Sequence, residues 1–150
     1  MNLNHQQLLF SLFHDGTLFN ISKSGSDYLF SIDIPYLAER LNPDYSFFTL
    51  KLSQTREFFF QQDTSNQVVE DPDELNRMQL EILKTDSTDS KIKVFCTDVP
   101  NEHFGFLHIK TEDIQIYDPK NRRLELAEVE QEARNYWQEF GERSRNGGTK

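Results

Sequence analysis

The stretch Phe13-His14-Asp15-Gly16 sets an imidazole beside a carboxylate. Those two groups can share acid/base work or ligate a metal. A metal-dependent phosphohydrolase built on such a doublet holds it inside a helix and completes the site from neighbouring helices. Here a glycine and a β-like run follow at once, and the other histidines are His5, His103 and His108. Asp-Gly is instead a strong turn pair, and a histidine there can bond a nearby carbonyl. The residues therefore read first as structure and second as a binding surface; the alternatives to a binding domain are a structural domain without a ligand and, behind it, a His/Asp metal-dependent enzyme.

The remaining candidates for chemistry are weaker still. His103 and His108 lack the tight spacing of zinc ligands, which come as paired cysteines or as two histidines on one helical face. His108 alternates with Phe106 along a strand-like run and reads as a packing residue. Cys96 follows Lys-Ile-Lys-Val-Phe and reads as a buried thiol, because a nucleophilic cysteine wants a helix N-terminus or cationic surroundings. No nucleophile elbow and no glycine-rich phosphate loop occurs. The expectation is no catalytic residue, no metal and no cofactor.

The elements that must position these residues are legible in the pattern. Asn4 can cap a short helix carrying Leu8, Leu9, Leu12 and Phe13, stopped by Gly16. Two β-like runs flank Lys-Ser-Gly-Ser-Asp, a hairpin signal, and Phe30, Ile32 and Ile34 alternate with polar residues. A short helical excursion follows Pro35. Ser46 to Leu52 and Arg56 to Gln62 read as two strands separated by Ser-Gln-Thr. Asp71-Pro72 with Glu74 is a helix start, but whether 71–84 is helix or strand stays open. Leu80 to Cys96 reads as a second hairpin, and Phe104 to Tyr117 as two short strands. Leu126, Val129, Ala133, Trp137 and Phe140 are spaced 3, 4, 4 and 3 apart, one stripe of an amphipathic helix with Gly141 at its cap. Strands first and a long helix last predict an α+β fold: an antiparallel meander of about six to eight strands, a short N-terminal helix and a long C-terminal helix packed on the sheet. Residues 1–143 form one domain in this reading, and 144–150 form a disordered tail.

Composition narrows function by exclusion. Formal net charge is −9, which argues against nucleic acid and anionic membrane as partners and favours a basic protein. Thirteen Phe and five Tyr make the core aromatic. A single cysteine excludes an internal disulfide and suits a reducing compartment. The first residues lack the basic region of a signal peptide, and no run is long enough to span a membrane, so the cytoplasm is the expected compartment.

Tyr36, Glu39, Arg40 and Tyr45 lie on the excursion after Pro35, and Tyr and Arg are enriched at protein interfaces. With His14 and Asp15 they form the candidate partner-binding set. The order Phe-His-Asp-Gly, a hairpin, then Ile-Asp-Ile-Pro-Tyr-Leu-Ala-Glu-Arg-Leu-Asn-Pro resembles small uncharacterised bacterial domains, some grouped with immunity proteins of polymorphic toxin systems. The resemblance covers residues 10 to about 60, with an echo at Tyr136-Trp137. It implies a cytoplasmic, acidic, non-enzymatic domain that binds a partner such as a toxin and blocks it by occlusion.

Overall fold

Asn2, rather than Asn4, caps the first helix: its side chain accepts from His5 N at 2.8 Å, two positions earlier than the pattern suggested. The computed structural model describes residues 1–147, with side-chain environments through residue 143. In chain order the elements are α1 (Leu3–Leu12), β1 (Thr17–Ser24), β2 (Asp27–Asp33), α2 (Pro35–Ala38), β3 (Phe47–Gln62), β4 (Val68–Val69), α3 (Pro72–Met78), β5 (Leu80–Thr88), β6 (Lys91–Asp98), β7 (His103–Tyr117), β8 (Arg123–Leu124) and α4 (Leu126–Gly147). The fold is α+β, with an antiparallel sheet, a short N-terminal helix and a long C-terminal one. No helix among the described residues is long and apolar enough to cross a membrane.

Turn chemistry sets the hairpins. Gly25, at φ 63°, opens the two-residue β1–β2 turn, and Asp89 and Ser90, at 52° and 66°, make the β5–β6 turn. Positive φ at these positions matches the right-handed twist of the flanking strands. Asp71 caps α3 by accepting from Glu74 N at 3.2 Å, and Gln79 at φ 50° ends it, so residues 71–84 divide into helix and then strand.

Two expected breaks are absent. Ser46 to Gln62 holds one 16-residue strand and Phe104 to Tyr117 lies in one 15-residue strand. Gln54 takes φ 51° and a bulge lies between Thr55 and Glu57, so polar residues that read as a turn bend one strand instead. Pairing with β7 along both halves holds β3 continuous.

The consecutive strands form two meanders, β1-β2-β3 and β5-β6-β7. They join through β3–β7 on one side and a short β1–β5 contact on the other, so the pairings run in a closed circuit. The two joins are unequal: β3 and β7 pair along most of their length, whereas β1 and β5 meet only at Thr17 and Glu81. The enclosed side holds Phe30, Phe48, Leu50, Phe60, Ile92, Val94 and Leu107, all 1% exposed or less. Phe10 and Phe13 of the first helical segment join them. Burying such a side chain contributes roughly 1.5–3 kcal/mol, so this aromatic interior dominates stability. Cys96 is fully buried, and burial pushes its thiol pKa up, as an inert core cysteine requires.

The last helix departs from its expected stripe. Val129 and Ala133 are buried, but Trp137 is 41% exposed and Phe140 51%. The helix packs on α1 and α2, and its second half carries its apolar side beyond the core. Nor does it stop at Gly141, where the cap was expected, but continues to Gly147. Of the expected tail, 148–150 lie outside the described residues.

Candidate functional site

The turn carrying His14 and Asp15 is fixed by backbone. Gly16 N donates to Phe13 O at 2.9 Å, Asp15 N to Ile82 O at 2.8 Å, and Ile82 N back to Gly16 O at 2.8 Å. Asp15 sits at φ 71°, a conformation aspartate tolerates better than most residues. A Cβ at Gly16 would lie 2.6 Å from Ile32 Cγ2 and 2.9 Å from Phe13 O, so only glycine lets the turn close here.

His14 is committed to packing and one hydrogen bond. Its Nδ1 lies 3.0 Å from Ser11 O, a carbonyl that can only accept, so Nδ1 donates. Its ring stacks on Trp137 at 5.2 Å and 17°. Nε2 stands 3.9 Å from Asp15 Oδ2, beyond hydrogen-bond reach. Tyr36 donates its hydroxyl proton to His14 O at 2.9 Å. Burial, reinforced by Asp15 and Tyr136, pushes the Tyr36 pKa up to about 12, which keeps the phenol protonated as a donor.

Arg40 ties α2 to α4. Its two terminal nitrogens reach the Glu139 carboxylate at 2.6 and 3.0 Å, and Nε lies 3.5 Å from Glu132. The fork matches the carboxylate geometry, raises the arginine pKa and lowers that of Glu139. Glu39 lies beside it, lining a shallow depression with Pro43.

The structure thus gathers His14, Asp15, Tyr36, Glu39 and Arg40 at the second half of α4. Tyr45 is elsewhere. Its hydroxyl lies 3.5 Å from Asp118, whose other oxygen accepts from Lys120 N and Arg122 N at 2.9 Å each. Tyr36 packs on Tyr136 at 4.6 Å and on Trp137 at 6.0 Å, and Phe140 extends the cluster. The result is an aromatic shelf with Trp137 and Phe140 facing solvent and Asp15, Glu39, Glu132, Glu139 and Arg40 around it. The 3-4-4-3 spacing places Trp137 and Phe140 on the packed stripe, and the structure exposes them instead. Periodicity reports one face of a helix but not how far the neighbouring helices extend along it. The small Ala133 in mid-stripe is the available hint that the packing partner changes there.

A second aromatic surface lies outside the closed sheet, on β3, β6 and β7. Phe95 meets Phe106 at 5.3 Å and Phe104 at 5.8 Å, and Phe104 is 48% exposed. The Lys93 ammonium stands 4.6 Å over the Phe106 ring, and that of Lys91 5.7 Å over Phe59. His108 stacks on Phe59 at 4.6 Å and bonds Gln61 through Nε2 at 3.1 Å, while Nδ1 has no partner. Burial, then Lys91 and Lys93, lowers its pKa to about 4. The expected packing role of His108 holds, with the ring under a cationic surface.

Among the described residues no group of three or more His, Cys, Asp or Glu is placed to hold a metal ion. No family model, no curated protein and no solved structure matches the chain.

Proposed function

We propose that this is a binding domain that docks a basic protein on the aromatic shelf, without chemistry of its own. The carrying observation is the exposure of Trp137 and Phe140 beside Tyr36 and Tyr136, in a setting of carboxylates. Large aromatics at the centre of a patch supply most of an interface's binding energy, and a charged rim sets partner choice and association rate. Arg40 spends its charge on Glu132 and Glu139, so the rim presents net negative charge to a partner. The overall −9 extends that field. The resemblance of residues 10 to about 60 to small bacterial domains, some grouped with immunity proteins, adds a role: neutralising a toxin by covering its working surface.

The test is a partner isolated from the native host with the wild-type chain as bait, then measured against variants of the shelf. Raising salt should slow association and leave dissociation nearly unchanged. Tyr36→Ala should speed dissociation. An association rate indifferent to salt, together with unchanged binding by Trp137→Ala, would remove the shelf from the function.

A further inference from the structure

The closed sheet has a pocket at the end formed by the β6–β7 turn, of about 280 Å³. Phe60, Val69 and Met78 give it an apolar wall, and Gln62, Gln67, Asn101 and His103 give it polar ones. Asp98 lines it as well and is only 2% exposed. Its Oδ2 accepts from Asn101 Nδ2 at 2.9 Å, whereas Oδ1 has no hydrogen-bond partner. None of the ion pairs among the described residues involves Asp98.

A buried carboxylate is expensive unless a cation and hydrogen bonds compensate it. Holding the turn needs only the oxygen that Asn101 uses, and an asparagine at 98 would accept that bond without the charge. The aspartate supplies something more, a negative charge at an apolar-walled pocket. We propose that this pocket binds an organic cation, a primary ammonium or guanidinium group on a short alkyl chain, with Asp98 as its counter-ion. The carboxylate, lining the pocket, gives the cation its charge partner. Phe60, Val69 and Met78 cover the alkyl chain, and Gln62, Gln67 and Asn101 supply carbonyl acceptors for the remaining N–H groups. A zinc-type metal ion fits poorly, because the pocket's carboxylate, imidazole and thiolate ligands are Asp98 and His103 alone. The cation's source is either a free amine or a lysine or arginine side chain of a bound protein.

Titration of the folded protein with n-butylammonium chloride, followed by amide NMR, tests this. Saturable shifts are expected at Gln62, Gln67 and 98–103, with n-butanol, the neutral analogue, producing none there. Asp98→Asn should weaken the binding at least tenfold. A parallel titration with acetyl-Gly-Lys-Gly-amide separates the sources: binding of the peptide favours a protein side chain, and binding of butylammonium alone favours a free amine. Equal response to butanol and butylammonium, or no saturable response to any cation, overturns the proposal. So does unchanged affinity in a folded Asp98→Asn protein. If that variant fails to fold, the contrast between amine and alcohol on the wild type still decides.

Discussion

The aromatic shelf and the aromatic sheet face are built from the same kind of residue and given opposite charge. On the shelf, Arg40 is matched to two glutamates and Asp15 and Glu39 lie alongside. On the sheet face, Lys93 sits over Phe106, and Lys91, although paired with Glu57 at 3.2 Å, sits over Phe59. A net charge of −9 therefore describes the chain and not each of its surfaces. The backbone context differs too. Phe95, Phe104 and Phe106 stand on paired strands whose opposite side is the core, so their positions are set by the sheet. Trp137 and Phe140 stand on a helix half held by α2 and the His14 turn, so their positions depend on Arg40, Tyr36 and His14. If the shelf is the docking surface, specificity rests on a few side-chain contacts that can be removed singly.

The largest expected effect separates the two surfaces by binding. Against the isolated partner, Trp137→Ala with Phe140→Ala should lose at least about a hundredfold in affinity, roughly 2.7 kcal/mol, within the range of two moderate hot spots. Phe104→Ala with Lys93→Ala should change it less than about threefold, as rim or non-contacting positions do. Surface plasmon resonance on both double variants reads the difference directly. The reverse pattern would transfer the function to the sheet face and call for an acidic partner.

The next effect distinguishes the surfaces by pH. His108 in the fold has a pKa of about 4 against 6.5 for a free side chain, so between those values the unfolded chain binds a proton that the folded chain refuses. Stability falls as pH falls through that window. Thermal midpoints measured from pH 7 to pH 4 should decline, and His108→Gln should flatten part of that decline. A wild-type midpoint constant over the window would mean that His108 titrates normally and that the sheet face is wetter than its geometry indicates.

Much of this molecule was legible in its sequence, and the reasons for the remainder are local. Asp71-Pro72-x-Glu74, Gly25 and the alternation of Phe30, Ile32 and Ile34 carry their structure in short-range chemistry, and each element is where that chemistry puts it. Ser-Gln-Thr misled because polar residues between two apolar runs mark a turn only when no distant strand pairs across them. β7, more than fifty residues away, does so here. Closure of the sheet depends on the same long-range pairing and leaves no periodic trace. The candidate site divides likewise. The His14 turn and the Pro35 excursion were visible, but Glu132, Glu139 and the exposure of Trp137 belong to how α4 crosses α2. Asp98 gave no sequence signal at all, since an aspartate ahead of Val-Pro-Asn reads as an ordinary turn residue.

Helix α4 itself yields a third, smaller effect. Trp137→Ala should cost about 1 kcal/mol of stability, well under the roughly 3–5 kcal/mol of a fully buried aromatic, because 41% of the residue is already in water. Phe60→Ala, at 1% exposure, should reach that larger range. Denaturant melts of the two variants side by side set the scale. A Trp137→Ala loss as large as that of Phe60→Ala would return the indole to the core and leave the shelf without its central ring.

The smallest effect is the most specific to the shelf. Arg40 joins α2 to Glu132 and Glu139, and these groups are close enough to solvent that water and salt replace much of what the pairing contributes. Arg40→Ala should therefore leave the melting midpoint nearly where it was. The second half of α4 should still feel the loss, because past Ala133 the helix is held by α2, the His14 stack and little else. Amide exchange at residues 134–143 should speed up several-fold while exchange in the closed sheet stays unchanged, since local opening and global unfolding are separate events with separate free energies. Arg40→Lys should rescue it only in part, because an ammonium cannot hold Glu139 with two parallel bonds and reach Glu132 as well. Exchange in α4 indifferent to both substitutions would show that the aromatic contacts alone position the shelf, and that the arginine fork is decoration on a surface already fixed by Tyr36 and His14.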